Sequence, residues 1–390
     1  MISTRKLWPV FALLAAALAC SLPGTPTAPP PEPTLPPEPT AEVLPTAEMA
    51  PTDSGEPTAA PTGDVIAVVV SDDLISLYRL DGGSVGRWEA PGITWPRQGW
   101  VQVVGGSVYY VKPSTGAVAA VSWTGTTDFS FTAMPNLSAF AVSPDEQFMA
   151  WSTTSYTDVP VSQLWMSRLD GSDMRMILES DASDEIADWF VLEPVTFGHD
   201  GSLVYAWQIT GIGGYILFGG YSSLYRYDPA TGTSTPMAAL VGDSTGPCWG
   251  GIREDLAFVA GHCVGADGTM AMRERNVLAG TENVFPEFPD QGQAGAAVYS
   301  PSGNRLAYAI ARSNQDDEAG QIIVRMSPEA APASIASITD GYFRILFWLD
   351  ESQLLVGGME AGQDQVYLVQ LDGTRFSVAP GVLAGWMRLP

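Results

Sequence analysis

The chain has 390 residues, 43 acidic against 18 basic, and a formal net charge of -25 at pH 7. Lysine is confined to Lys6 and Lys112. A surface this negative repels phosphate backbones, so no nucleic acid is expected as a partner, and it offers no basic patch to anionic lipid. It suits cationic or neutral ligands such as sugars, and it keeps an exported protein soluble. With 12 Trp and 40 Gly, the composition fits many short strands joined by tight turns.

Residues 1–19 have the layout of a secretory signal peptide. Arg5 and Lys6 form a positive start, and Leu7 to Leu18 form an apolar run too short to span a bilayer. Small residues Ala17 and Ala19 then precede Cys20. The Ala17-Leu18-Ala19-Cys20 junction resembles a bacterial lipobox, which implies lipidation of Cys20 and an extracytoplasmic protein held at the membrane by that lipid alone. It departs from the usual pattern at Ala17, where leucine is commonest. The same residues also fit ordinary signal cleavage, and both cuts fall before Cys20.

Residues 20–63 follow as a lipidated cysteine and a tether. From Ser21 to Gly63 the sequence is mostly Pro, Thr, Ala and Glu, without Lys, Arg or an aromatic residue. Such a stretch buries too little apolar surface to offset its ordering entropy. Its prolines favour extended polyproline II, which here reaches on the order of 130 Å.

Residues 64–390 repeat. A short apolar strand, a polar turn and a stronger strand recur, as in Phe140-Ala141-Val142, Ser143-Pro144-Asp145-Glu146 and Phe148-Met149-Ala150-Trp151. The phrase returns around Gly198-His199-Asp200-Gly201 and Ser300-Pro301-Ser302-Gly303, and more loosely around Arg253-Glu254 and Asp350-Glu351. A third, alternating strand follows each, for example Gln163 to Arg168 or Val366 to Val369, and runs into a turn such as Leu371-Asp372-Gly373-Thr374. Asp-Gly between alternating runs is a strong hairpin signal. Four antiparallel strands at this period describe an all-β propeller. Third strands are expected near residues 74, 117, 162, 222, 268, 320 and 363, which gives seven four-stranded blades. The first unit lacks its opening strand, and Ala384 to Arg388 reads as the missing one, closing the ring.

The Ser-Pro-Asp-Glu and Ser-Pro-Ser-Gly turns, the Ala-Trp or Ala-Tyr strands after them, and the Gln-Leu-Trp…Leu-Asp-Gly phrase resemble WD-repeat-like propellers of the TolB type. The resemblance implies fold and says little of function, because that group holds scaffolds, ligand binders and the non-catalytic propellers of peptidases. It also keeps six blades as the alternative count.

In such a ring, turns between strands one and two and between three and four share one face. The other connections share the opposite face, where this sequence places its long segments. Binding residues tend to sit on long loops over a rigid scaffold. The candidate binding face therefore comprises Trp95, Tyr156, Asp158, Trp189, Phe190, Tyr215, Phe218, Tyr221, Phe288, Asp316 and Asp317. These residues suit a glycan, a peptide or a cation; their plainer role is to seal blade junctions. The glycine-flanked apolar run Gly211 to Gly220 either caps the core or forms an exposed patch.

Cys248 and Cys263 lie across one hairpin and make an even pair once Cys20 is set aside. A disulfide is expected between them in an oxidising compartment, two free thiols being the alternative. No catalytic, metal or cofactor site is expected. His199 sits in a turn and His262 at a strand end, without an evident partner for either. No G-x-S-x-G, P-loop or dinucleotide motif occurs. The expected function is a monomeric, non-catalytic binding or scaffold module for a protein or glycan of the cell envelope. The alternative is a carbohydrate-active propeller, hydrolase or lyase, working through two carboxylates distant in sequence.

Overall fold

The computed structural model describes residues 64–93, 100–134, 136–155, 161–180, 190–209, 217, 220–221, 223–238, 248–264, 269–285, 293–312 and 319–389. In chain order the strands begin with β1 (Val65–Ser71), β2 (Leu74–Arg79) and β3 (Ser84–Glu89). The second blade holds β4 (Val101–Val104), β5 (Ser107–Lys112), β6 (Ala117–Ser122) and β7 (Gly125–Phe129). The third holds β8 (Leu137–Val142), β9 (Phe148–Ser155), β10 (Val161–Arg168) and β11 (Arg175–Glu179). The fourth holds β12 (Phe190–Phe197), β13 (Leu203–Ile209), β14 (Ser223–Asp228) and β15 (Thr233–Ala238). The fifth holds β16 (Trp249–Ile252), β17 (Phe258–Val264), β18 (Met270–Asn276) and β19 (Glu282–Val284). The sixth holds β20 (Gln293–Tyr299), β21 (Leu306–Arg312), β22 (Ala319–Arg325) and β23 (Ala333–Ile338). The seventh holds β24 (Gly341–Trp348), β25 (Gln353–Glu360), β26 (Gln363–Gln370) and β27 (Arg375–Pro380). Last comes β28 (Val382–Arg388), which completes the first blade in the order β28-β1-β2-β3.

These seven antiparallel sheets form a ring, a β-propeller. The third strands β2, β6, β10, β14, β18, β22 and β26 start within two residues of their expected positions. The closure is also as expected. Val65 pairs with Arg388 and Ala67 with Trp386, and the Leu389 N–H donates to the Asp64 carbonyl at 3.0 Å. Pairing the chain's last strand with its first removes two sheet edges at once.

Local sequence explains the blades. Second strands are buried on both faces and read as nearly continuous apolar runs, such as VIAVVVS in β1 and LAYAIAR in β21. Outermost strands carry mostly exposed residues, as in β7 and β15. The Asp-Gly turns need a left-handed residue, which glycine supplies at Gly171 (φ 83°) and Gly373 (φ 91°).

The core lies in the seams between blades, and the seams differ. Between blades one and two it is apolar: Ile66, Val68, Ile75 and Leu77 pack on Val108, Tyr110, Ala119 and Val121. Between blades five and six a buried ion pair joins the apolar side chains. Arg325 of β22 donates from Nη1 and Nη2 to the Glu274 carboxylate of β18 at 2.6 and 2.7 Å. The Tyr299 hydroxyl and the Asn283 amide donate to the same carboxylate, and the guanidinium stacks over Phe285. Burial pushes the Glu274 carboxyl up, but the Arg325 hydrogen bonds and charge outweigh it and hold the group below its ordinary range. Among the described residues no helix is long and apolar enough to cross a membrane.

Candidate functional site

Alternation of strand direction gives the ring two unlike faces. On one, the connections are brief turns: Gly105–Gly106, Trp123–Thr124, Pro229–Gly232, Leu349–Ser352. Their aspartates cap the turn backbone. Asp200, Asp350 and Asp372 each accept the N–H two residues on, at 3.0, 2.6 and 2.9 Å.

Glutamates on the turns between first and second strands clasp neighbouring blades. Glu146 of the third blade accepts from the Tyr109 hydroxyl of the second at 2.7 Å. Glu254 of the fifth meets His199 of the fourth at 2.6 Å. Glu351 of the seventh accepts from the Ser302 N–H of the sixth at 2.7 Å. The first two histidine and tyrosine contacts therefore have structural explanations. Burial, and then Glu146, push the Tyr109 phenol above its ordinary range.

The opposite face receives the longer connections, among them 90–100, 180–189, 210–222 and 239–248. The first strands of the blades (β28, β4, β8, β12, β16, β20 and β24) form the inner edge of each sheet, where β8 lies against β12, β16 against β20, β20 against β24 and β28 against β4. Among their residues the only carboxylate is Glu193; the basic groups are Arg344 and Arg388. Arg344 is already engaged, donating from Nη2 to Asp364 at 2.6 Å.

Described residues between β13 and β14 of blade four reach blades five and six. The Tyr221 N–H donates to the Trp249 carbonyl at 2.6 Å, on the edge of β16 that β17 leaves open. Gly220 lies so close to the Cys248 backbone that an added Cβ would stand 2.9 Å from its nitrogen. The Leu217 N–H donates to the Gln293 side chain at 3.2 Å, and the Leu217 side chain is buried in the cluster that joins blades six and seven. Of the two readings of the glycine-flanked run, Leu217 takes the core-capping one.

The Cys248–Cys263 disulfide forms at the same place and ties the entry of β16 to β17. Beside it His262 accepts the Ala294 N–H of β20 on Nδ1 at 3.3 Å. Burial lowers its pKa to about 4, so it stays neutral and keeps that acceptor. No partner for His262 is visible in the sequence, because the partner is a backbone group of the next blade.

Of the candidate face residues, Tyr221 is 4% exposed and packs with Trp249, Leu224 and Met237. It belongs to the core and not to the binding surface: its backbone bridge to Trp249 turns the ring into the fifth blade. Phe190 opens β12 and so lies on a strand. Trp95, Tyr156, Asp158, Trp189, Tyr215, Phe218, Phe288, Asp316 and Asp317 lie outside the described residues. Among the described residues no group of three His, Cys, Asp or Glu is placed to hold a metal.

No family model and no curated protein matches the sequence. Solved structures do match, at low identity. The fold is similar to that of TolB from Acinetobacter baumannii (12% identity over 83% of this chain and 82% of that one, TM-score 0.44). It is similar to dihydro-heme d1 dehydrogenase NirN in complex with DHE (15% identity, 83% of this chain and 65% of that one, TM-score 0.50). It is also similar to the Pyrococcus horikoshii acylaminoacyl peptidase (10% identity, 81% of this chain, TM-score 0.51), of which it spans 52%. At these identities the likeness shows the propeller fold alone, the TolB-like propeller that the turn phrases suggest.

Proposed function

We propose that this chain is an extracytoplasmic lipoprotein, anchored through Cys20, whose propeller is a non-catalytic binding or scaffold module for a protein or glycan of the cell envelope. The reading rests on one observation. Short, hydrogen-bonded turns take one face of the ring, and the strand order leaves the longer connections, which carry the candidate aromatics in the sequence, for the other. A closed ring holds such connections at fixed spacing, which lowers the entropy lost on binding. The single carboxylate of the innermost strands gives paired-acid hydrolysis no support there, since that chemistry needs two carboxyl groups about 5–10 Å apart. The disulfide is consistent with an oxidising compartment.

Two experiments test the proposal. The full chain is applied to a glycan array and to envelope extract, beside a variant carrying Trp189→Ala and Trp95→Ala. Retention that falls at least tenfold in the variant supports the reading; equal retention, or turnover of an arrayed glycan, overturns it. Palmitate labelling is compared in the wild type and Cys20→Ser. Labelling only in the wild type supports the anchor, and equal labelling contradicts it.

A further inference from the structure

The disulfide of the fifth blade lies where three blades meet. The β16–β17 ladder ends at the pair Trp249 and Gly261, so Cys248 lies outside it, and the bond to Cys263 of β17 is its covalent tie to the blade. On its other side Cys248 holds the connection between β13 and β14. The Cys248 and Trp249 N–H groups both donate to the Tyr221 carbonyl, at 3.2 and 3.0 Å, and the Tyr221 N–H returns a bond to the Trp249 carbonyl. Tyr221, Trp249 and Cys263 share one buried cluster.

Earlier in the same connection, Leu217 donates its N–H to Gln293, and its carbonyl packs so closely on Gly295 of β20 that a Cβ there would stand 2.5 Å from it. One connection of blade four is therefore clamped to blade five at Tyr221 and to blade six at Leu217. The first clamp is positioned by Cys248. The two sulfurs differ in access: Cys263 is 2% exposed, whereas Cys248 is half-buried. A thiolate therefore attacks the bond at Cys248.

We propose that the Cys248–Cys263 bond is a redox latch on this connection, opened by a protein dithiol. One thiolate of the dithiol attacks Cys248 Sγ, the disulfide breaks, and Cys263 leaves as a thiolate that takes up a proton. The second thiolate of the dithiol then attacks its own sulfur in the mixed disulfide and releases Cys248, which is protonated in turn. The dithiol is oxidised to its disulfide and the two cysteines are reduced. Once Cys248 loses its tie to β17, its backbone bonds with Tyr221 open, and the clamp on blade five is lost. The latch acts within the folded chain and does not depend on what the long connections bind.

The test is residue-resolved amide hydrogen exchange of the full chain, oxidised and after treatment with dithiothreitol, the dithiol probe, without denaturant. The amides of Leu217, Tyr221, Cys248 and Trp249 report on the latch; those of Val111 and Leu349, hydrogen-bonded in the second and seventh blades, report on the rest of the ring. Reduction is expected to speed exchange at the first four by about tenfold or more and at the other two by less than about threefold. The double variant Cys248→Ser with Cys263→Ser should show the same pattern without reductant. A disulfide that only restricts the unfolded chain lowers global stability and speeds both sets alike. That result overturns the latch, and so does unchanged exchange at Tyr221 in the reduced chain or the double variant. A bond that dithiothreitol cuts only after denaturation overturns it too.

Discussion

The seam between blades one and two and the seam between blades five and six do the same job with different chemistry. The first closes on aliphatic side chains and Tyr110. The second closes on Ala260, Met272, Phe285 and Tyr308, together with the Glu274–Arg325 pair, in which the two side chains are 4% and 2% exposed. An apolar seam gains from every buried methylene and tolerates loss of any one in proportion. An ion-paired seam is all or nothing, because a lone buried charge costs far more than the pair contributes.

Breaking the pair should have the largest effect. Arg325→Met strands the Glu274 carboxylate and is expected to destabilise by about 3–5 kcal/mol in denaturant titration. Adding Glu274→Leu should return most of that loss; a double variant as unstable as the single would show that the seam depends on packing alone. In the apolar seam, Leu77→Ala is expected to cost about 2–5 kcal/mol, with no second change able to restore it cheaply.

Reduction of Cys248–Cys263, which closes a loop of 15 residues, should lower stability by about 3 kcal/mol. His262 adds a pH dependence to the five–six seam. Its folded pKa of about 4 lies below the ordinary 6.5, so between those values the unfolded chain takes up a proton that the folded chain refuses. Stability should therefore be complete above pH 6.5 and fall by about 2 kcal/mol between pH 7 and 5, a slope that His262→Gln removes. The smallest effect belongs to the short-turn face. His199 and Glu254 are 65% and 63% exposed, so His199→Ala should change the melting midpoint within the range of a surface pair, below about 1 kcal/mol.

The blades were legible in the sequence because their signals are local. Asp-Gly turns, Ser-Pro turns and alternating third strands each lie within a few residues, and closure by Ala384 to Arg388 followed from one strand missing at the start. The Cys248–Cys263 bond was legible by counting. The seams were not. Glu274 and Arg325 are 51 positions apart and meet only because third strands of adjacent blades face each other. Tyr221 looked like a loop aromatic because it follows Gly219 and Gly220, and only the bridge to Trp249 makes it core. Leu217 reaches the seam of blades six and seven from a connection of blade four, a contact no local pattern encodes.

Binding by the long-connection face, as proposed, is tested by cross-linking mass spectrometry of the full chain with whatever it retains from envelope extract. Cross-links are expected from residues 90–100, 156–160, 181–189, 210–222 and 286–292. Cross-links concentrated on the short turns at 143–147, 198–202, 253–257 and 349–352 would contradict it.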